Sequence, residues 1–336
     1  MAWYHIPGNR QDTVVSTRVR FSRNLADHPF PSRLDAPRAK EIAVKVGAIL
    51  EQNGFTKVDF ADISRTAAQS LVEKSYASSS FVRESLPHAL FLNEPCNLSV
   101  MVCEEDHIRI QCIHAGLSLR DAFSGACKIE SLLDDTLTFA FDKRLGYLTA
   151  CPSNLGTAMR ASVLLCLPMM SMGRRTEALA LQLGQTGLIL QGLGGDGATA
   201  VGGLCRLSNR VTLGVSEEEI LERLEAAVEQ IIAAEEGLRG QVSGIEADRL
   251  TDRVRRAEGI LRYAHTLTVS ELLGYLSDLR IGAATGLTDV KVESLNALLV
   301  EAMPATLTLG AQDLPRRDHE RDLLRAKVVR ETLFGA

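Results

Sequence analysis

Four arginines fall at alternating positions or beside turns: Arg18 and Arg20, Arg109, and Arg160. Arginine's planar fork of donors suits phosphate oxygens, and several forks together can cage a polyphosphate. Arg18 and Arg20 are two residues apart, so on a strand they share one face. Arg109 follows three consecutive acids at a strand turn, Glu104-Glu105-Asp106. A carboxylate there could hold a cationic substrate and take its proton. Each feature also has a plain reading. Alternating arginines on a strand commonly form a solvated face, and an acidic turn is commonly just hydrated.

The fourth arginine belongs to residues 151–162, Cys-Pro-Ser-Asn-Leu-Gly-Thr-Ala-Met-Arg-Ala-Ser. Proline, asparagine and glycine break the backbone after a strand-like run, Leu145 to Ala150. An apolar run follows from Ala158, with Met159, Val163, Leu164 and Leu167 mostly on one face. The pattern predicts strand, tight loop and helix, with Cys151 at the strand end and Arg160 in the first helical turn. A helix N-terminus favours anions, and a cysteine beside it loses its proton more easily. Taken alone, the segment fits a buried cysteine in a turn and a surface arginine at least as well.

The elements that must position these residues follow from periodicity. A helix is expected over Ala36–Glu51, with Ile42, Val46 and Leu50 on one face and Gly54 as its stop. A helical stretch near Ala67–Lys74 precedes a serine-rich loop. Strands are expected at Ala89–Leu92, Leu98–Val102, Ile108–Ile113, Thr136–Phe141 and Arg144–Ala150. Helices are expected at Leu119–Leu133 and Thr176–Leu183. Leu188–Leu190 leads into a glycine-rich loop, Gln191 to Gly197, which matches neither the P-loop nor the dinucleotide fingerprint. Leu204–Leu207 and Val211–Leu213 read as a hairpin. Strands joined by tight turns argue for an antiparallel sheet rather than a doubly wound parallel one. Beyond Gly214 the chain reads as helical. Ser216 and Glu219 form a capping box, and further helices are expected at Glu246–Leu267, Ser270–Leu279, Asp289–Met303 and Arg317–Leu333. A boundary near Gly240–Gly244 separates residues 1–240 from a helical 241–336. The fold class is α+β: a large antiparallel sheet flanked by helices, plus an all-helical C-terminal domain.

The 336 residues are 46% apolar and 24% charged, as in ordinary globular proteins. The net charge of −5 argues against a general nucleic-acid binder. The longest apolar stretch, Ala161 to Met172, is broken by Ser162, Pro168 and Ser171, so no membrane span is expected. The N-terminus lacks the order of a signal peptide. The 7 cysteines form no C-x-x-C pair, so neither a zinc site nor any other protein-held metal is expected, and free core thiols in a reducing cytoplasm fit best.

Together, Ser16-Thr17-Arg18-Val19-Arg20, Glu104-Glu105-Asp106-His107-Ile108-Arg109 and the 151–162 segment resemble the phosphagen (guanidino) kinases, in order and spacing. The resemblance runs from about Thr13 to about Gly240. It is greatest to the bacterial protein arginine kinases. About a dozen residues precede Ser16, where kinases of free creatine or arginine carry a helical domain that helps close over a small substrate. Near the other end, Arg321-Asp322-Leu323-Leu324-Arg325-Ala326 fits an R-D-x-x-R-A motif. The resemblance gives Arg321, Asp322, Arg325 and Ala326 to a phosphoarginine-sensing pocket on a domain that also dimerises. The same residues fit a charged helix face.

The resemblance implies an ATP- and Mg2+-dependent kinase of protein arginines in the cytoplasm, marking proteins for a Clp-type protease in stress quality control. Its partners would be proteins with exposed arginines, an activating adaptor, a Clp-type unfoldase and a second copy of itself. Glu105 would be the base, Cys151 the thiolate contact to the guanidinium, and Asp196 a second carboxylate. The nucleotide would meet Ser16, Thr17, Arg18, Val19 and Arg20, then Ser75 and Arg109. It would also meet Arg160, Ala161, Ser162, Val163 and Leu164, and the loop residues Gln191, Gly192, Leu193, Gly194, Gly195 and Asp196. The family loop usually reads Arg-Gly-x-x-Gly-Glu, so Gln191 stands for a phosphate arginine and Asp196 for a glutamate. Ser75 stands for a histidine that lies against the nucleotide, and Cys103 for an asparagine. Four of five phosphate arginines remain, which implies an active, slow enzyme. The rival readings are a degenerate kinase that only binds phosphoarginine or a partner, and a kinase of free arginine.

Overall fold

The computed structural model describes residues 2–335 except 61, 96, 194–200 and 312–316. The strands are β1 (Val14–Arg23), β2 (Phe55–Asp59), β3 (Ala89–Asn93), β4 (Leu98–Val102), β5 (Ile108–Ala115), β6 (Phe141–Asp142), β7 (Gly146–Tyr147), β8 (Met159–Cys166), β9 (Leu188–Gly192) and β10 (Leu204–Asn209). The helices in this part of the chain are α1 (Ala36–Gln52), α2 (Arg65–Glu73), α3 (Leu119–Asp134), α4 (Pro168–Met172), α5 (Thr176–Gln185) and α6 (Glu217–Gly240). Then come α7 (Ile245–Tyr263), α8 (Val269–Thr285), α9 (Val292–Glu301), α10 (Pro304–Gly310) and α11 (Asp318–Phe334).

Eight strands form one antiparallel sheet in the order β2-β3-β4-β5-β1-β8-β10-β9. Alternation along the central strands sends Val19, Phe21, Ala161, Val163 and Leu207 to one face. There they pack against the apolar stripes of α1, α3 and α6, through residues such as Ile42, Val46, Ala126, Leu133, Leu224 and Val228. That burial, at about 25 cal/mol per Å² of apolar surface, holds the sheet centre rigid and frees its other face for polar residues. The Ser216–Glu219 capping box at the start of α6 is present. Helices α7 to α11 enclose a second core built on Leu250, Val254, Leu272, Leu276, Leu295 and Val329.

Three local expectations fail. The run after Ala158 is strand β8, with Arg160 mid-sheet rather than in a helical turn. The second half of β8 is covered on both faces, Val163 and Leu165 by the main core and Leu164 and Cys166 by a smaller cluster, so it reads as a continuous apolar run that periodicity cannot distinguish from a buried helix. The strands expected at 136–141 and 144–150 shrink to β6 and β7, because Asp142 caps the intervening turn by accepting from the Arg144 and Leu145 amides. Residues 211–213 form no strand; β10 pairs instead with β8 and β9.

What residues 211–213 do is brace the 151–158 loop. The Thr212 hydroxyl donates to the Ser153 and Leu155 carbonyls, and its carbonyl accepts from the Thr157 amide at 3.0 Å. Gly156 makes this approach possible: its φ is +101°, and a Cβ there would lie 2.1 Å from the Thr212 carbonyl oxygen. Gly156→Ala is therefore expected to destabilise the protein by roughly 2 kcal/mol or more, since it combines a forbidden φ with a backbone clash. Urea unfolding measures this, and a wild-type midpoint would show that the loop does not need the close approach.

Candidate active site

Register builds the site. On the face away from the α1–α3–α6 core, Arg18 lies opposite Ser162, Arg20 opposite Arg160, and Ser22 opposite Arg109. One strand further out, Ser208 lies opposite Ser162, and Arg206 lies opposite Gln191 on β9. These side chains line one cavity of about 400 Å³, and the 151–158 loop and the acidic turn close its rim with Cys151, Asn154 and Glu105. A larger cavity, about 640 Å³, lies between α1 and the β2–β3 edge, with Val44, Phe60 and Phe91 in its wall. Its charges, Lys40, Lys57, Glu51, Asp59 and Glu84, are of mixed sign, whereas the smaller cavity gathers five arginines.

The charges in that cavity are unbalanced. Arg109 is met by Glu104 and by Glu105, the latter at 3.2 Å. Arg160 donates to the Asn209 carbonyl at 3.2 Å. Arg18, Arg20 and Arg206 have no ion-pair partner among the described residues. Burial, then the neighbouring Arg20, Arg206, Arg109 and Arg160, pushes the Arg18 guanidinium well below its ordinary range. Burial and the same crowd push Arg20 down to about 9. A cluster of desolvated cations with so little counter-charge favours an anion in the cavity, and a polyanion meets several of them at once.

The three acids of the turn divide. Glu104 is buried, accepts from the Ser78 and Ser80 hydroxyls and pairs with Arg109. Asp106 is buried, and its Oδ1 accepts from Asn24 Nδ2 at 2.7 Å and from the Ala150 amide at 2.8 Å. It thereby fixes the backbone next to Cys151. Glu105 alone is exposed and sits on the cavity wall. His107 is a framework residue. Its Nδ1 accepts from the Leu25 amide and its Nε2 donates to the Pro29 carbonyl, and burial lowers its pKa. Cys103 takes φ +62° ahead of this turn, a conformation that an asparagine adopts more readily. Burial raises the Cys103 thiol to about 12. Cys151 Sγ lies 3.0 Å from Ser153 Oγ. The helix terminus expected beside it is absent; only a single 3-10 turn, Pro152–Asn154, follows.

Arg18, Arg20, Glu105, Arg109, Cys151, Arg160, Ser162 and Gln191 are thus brought together. Thr17, Val19, Ala161 and Val163 are buried away from the cavity: the Thr17 hydroxyl donates to the Gly116 carbonyl, and the other three join the core. Leu164 and Leu193 pack against the small cluster of Val15, Cys166 and Leu204, which Leu273 of α8 also joins. Gly192 closes β9 opposite Cys205, while Ser16 pairs with Ala115 and Leu164 near the other end of β1. Ser75 is not in the cavity wall; its carbonyl accepts from Gln111 Nε2 at 2.6 Å, and Gln111 lies opposite Arg20. Gly194, Gly195 and Asp196 lie outside the described residues. Arg206 and Ser208 are cavity residues that motif reading passed over. Their two-residue spacing on a strand is the same signal that singled out Arg18 and Arg20.

The model for the C-terminal catalytic domain of ATP:guanido phosphotransferases matches residues 40–238. The chain belongs to the ATP:guanido phosphotransferase family. A second model, for the C-terminal domain of the protein-arginine kinase McsB, matches residues 247–335. A protein-arginine kinase of Clostridium kluyveri is 40% identical over 95% of this chain and 94% of its own length. One of Symbiobacterium thermophilum is 39% identical over 98% and 96%. Among solved structures, the duplicated taurocyamine kinase of Schistosoma mansoni aligns with TM-score 0.60 at 25% identity, covering 77% of this chain and 41% of that longer one. A lombricine kinase aligns with TM-score 0.61 at 23% identity over 70% of each chain, a likeness of fold.

In the C-terminal motif of this family member, Arg321 pairs with Asp318, and Asp322 accepts from Arg325. Arg325 is buried and donates to the Ala302 and Leu267 carbonyls at 2.9 and 2.7 Å, and Ala326 is in the helical core. Arg325 therefore staples α11 to its neighbours, while Arg321 and Asp322 are half-buried.

The unbalanced cations yield a direct prediction. Inorganic tripolyphosphate at a hundred times its Kd is expected to stabilise the protein by about 2.7 kcal/mol, a shift of several degrees in Tm. Differential scanning fluorimetry at low ionic strength measures it, and an unmoved Tm at saturating anion would remove the polyanion reading of the cavity.

Proposed function

We propose that this chain transfers the terminal phosphoryl group of ATP to arginine side chains of proteins. The observation that carries the reading is the single cavity in which unpaired arginines stand across from one exposed carboxylate, Glu105, and one thiol, Cys151. The near full-length similarity to relatives called protein-arginine kinases supports the choice of acceptor.

A guanidinium is protonated and delocalised at neutral pH, hence a poor nucleophile. Glu105 would grip it and accept a proton from the attacking nitrogen. That nitrogen's lone pair forms the N–P bond as the bond from the γ-phosphorus to the bridging oxygen breaks, and ADP leaves. Cys151 would hold the far side of the guanidinium, with Asp196 as a second carboxylate. Arg18, Arg20, Arg109 and Arg160 would hold the phosphates, so that positioning and charge neutralisation lower the barrier. Mg2+, bound through the phosphate oxygens, would supply further neutralisation. Glu104 and Asp106 act as positioning residues for Arg109 and for the Cys151 backbone.

Further expectations attach to this reading. The modified proteins would be marked for a Clp-type protease in the stress response of the cytoplasm, with an adaptor protein as activator. Residues 241–336 would dimerise and sense phosphoarginine through Arg321 and Asp322. No helix among the described residues is long and apolar enough to cross a membrane. Gln191, neutral where a cation is expected, favours a second reading: a degenerate family member that binds phosphoarginine or a partner without catalysis.

The test is incubation with MgATP and an unfolded arginine-rich protein, followed by detection of acid-labile phosphate on arginine. Glu105→Gln is expected to lower the transfer rate on the order of a hundredfold or more while leaving MgATP affinity nearly unchanged. Silence of the wild-type protein at high concentration, with rescue by Gln191→Arg, would favour the degenerate binder. Transfer to free arginine but not to protein would overturn the choice of acceptor, and full turnover in Glu105→Gln would overturn the base.

A further inference from the structure

Arg206 and Gln191 are cross-strand partners on the β9–β10 ladder, and both line the cavity. Directly opposed residues of an antiparallel pair point to the same face, with Cβ atoms about 5 Å apart. Exchanging the two side chains would move a guanidinium by little more than one strand spacing, about 4.8 Å. An arginine carries its planar fork at the end of a long side chain, so it can present that fork to a phosphate from the neighbouring strand.

Arg206 has the environment of a ligand-binding cation rather than of a structural one. Structural arginines in this chain are fully engaged: Arg23 pairs with Glu130 and lies 3.5 Å over the Tyr147 ring, and Arg325 reaches two carbonyls and a carboxylate. Arg206 has neither an ion pair nor a side-chain hydrogen bond among the described residues. It contributes to the crowding of Arg18 and Arg20, and burial lowers its own pKa. A desolvated, unpartnered cation among like charges raises the energy of the empty protein and is retained for what it does when the cavity is filled.

We infer that Arg206 is a substrate-binding residue that grips the polyphosphate of the nucleotide, placing across the strand pair the positive charge that Gln191 lacks. The inference rests on the proposed phosphoryl transfer for the identity of the polyanion. Gln191 keeps a supporting part as a neutral donor to the same phosphate.

The test is calorimetric binding of MgATP to the full-length wild-type protein, Arg206→Gln, Arg206→Lys and the exchanged double variant Gln191→Arg/Arg206→Gln. Nucleotide-free Tm and phosphoryl transfer are measured alongside. Arg206→Gln is expected to weaken MgATP roughly ten- to a hundredfold, the range for losing a charge-assisted contact, and to raise KM for ATP more than it lowers kcat. Arg206→Lys is expected to recover part of the loss, and the exchanged variant most of it. The nucleotide-free Tm of Arg206→Gln is expected to equal or exceed that of the wild type, whereas removing a structural arginine would lower it. Unchanged MgATP affinity in Arg206→Gln, in a wild-type background that transfers phosphate, overturns the Arg206 assignment alone. A lowered Tm with no recovery in Arg206→Lys overturns it as well. Wild-type protein that binds MgATP and transfers nothing overturns the kinase reading, and the affinity comparison still decides Arg206. Wild-type protein that binds no nucleotide overturns both.

Discussion

Arg18, Arg20, Arg160 and Arg206 are carried on three adjacent strands, where backbone geometry sets how closely their charges approach. Two unit charges one or two strand spacings apart, about 5–10 Å, repel by roughly 2–3 kcal/mol at an effective dielectric near 20. The sheet therefore carries a repulsive load on one face, and the burial of Val19, Phe21, Ala161 and Val163 on the other face must offset it. This explains why these arginines sit on central strands rather than on loops. A loop would relax and let the charges separate; β1, hydrogen-bonded on both edges, holds them in place. The result is a polyanion site whose order exists before any ligand arrives, and preorganisation of this kind is where an electrostatic site draws its strength.

The acidic turn follows the same logic with opposite sign. Three adjacent carboxylates would repel if all faced one point, and the fold separates them into distinct tasks. Glu104 is turned inward onto Arg109 and two serine hydroxyls, Asp106 onto Asn24 and the Ala150 amide. Each fixes something that faces the cavity, and only Glu105 remains exposed at its wall. The acidic turn and the cysteine loop are far apart in sequence, and the Asp106–Ala150 contact joins them across 44 residues.

What could be read from the sequence tracks how local the signal was. The two-residue spacing of Arg18 and Arg20 declared a shared strand face, and the family motifs brought Glu105, Arg109, Cys151 and Arg160 to one place. The amphipathic helices α1, α3 and α6 were legible because one face of each is solvated. Strand β8 was not, because its second half, Val163 to Cys166, is covered on both sides and loses the alternation that marks a strand. Arg206 was passed over for a related reason. Its strand was expected to fold back on 211–213, so its true partner, Gln191, and the face they share were not in view. Arg325 failed in the other direction. Two arginines four apart on a helix read as a charged surface or a ligand motif, and only tertiary packing reveals that Arg325 is spent on the carbonyls of Leu267 and Ala302.

The segment that joins β9 to β10 is anchored at its two described ends. Its near end is fixed by β9, through the pairing of Gly192 with Cys205. Its far end, Val201–Gly203, packs on α8 of the helical region, where a Cβ on Gly202 would lie 2.2 Å from the Leu273 carbonyl oxygen. Leu193, like Leu164 and Leu273, packs against the cluster of Val15, Cys166 and Leu204. Helix α8 is in turn fixed to the start of the chain, because the buried Arg280 donates to the Gln11 carbonyl, and Arg239 of α6 joins Asp12 at 3.0 Å. Among the described residues, the helical region thus lines no part of the cavity itself, but it seats the Val201–Gly203 turn from which the chain enters β10. With φ at +60° and the Leu273 carbonyl that close, any side chain at Gly202 would push α8 away from the entry to β10, the strand that carries Arg206.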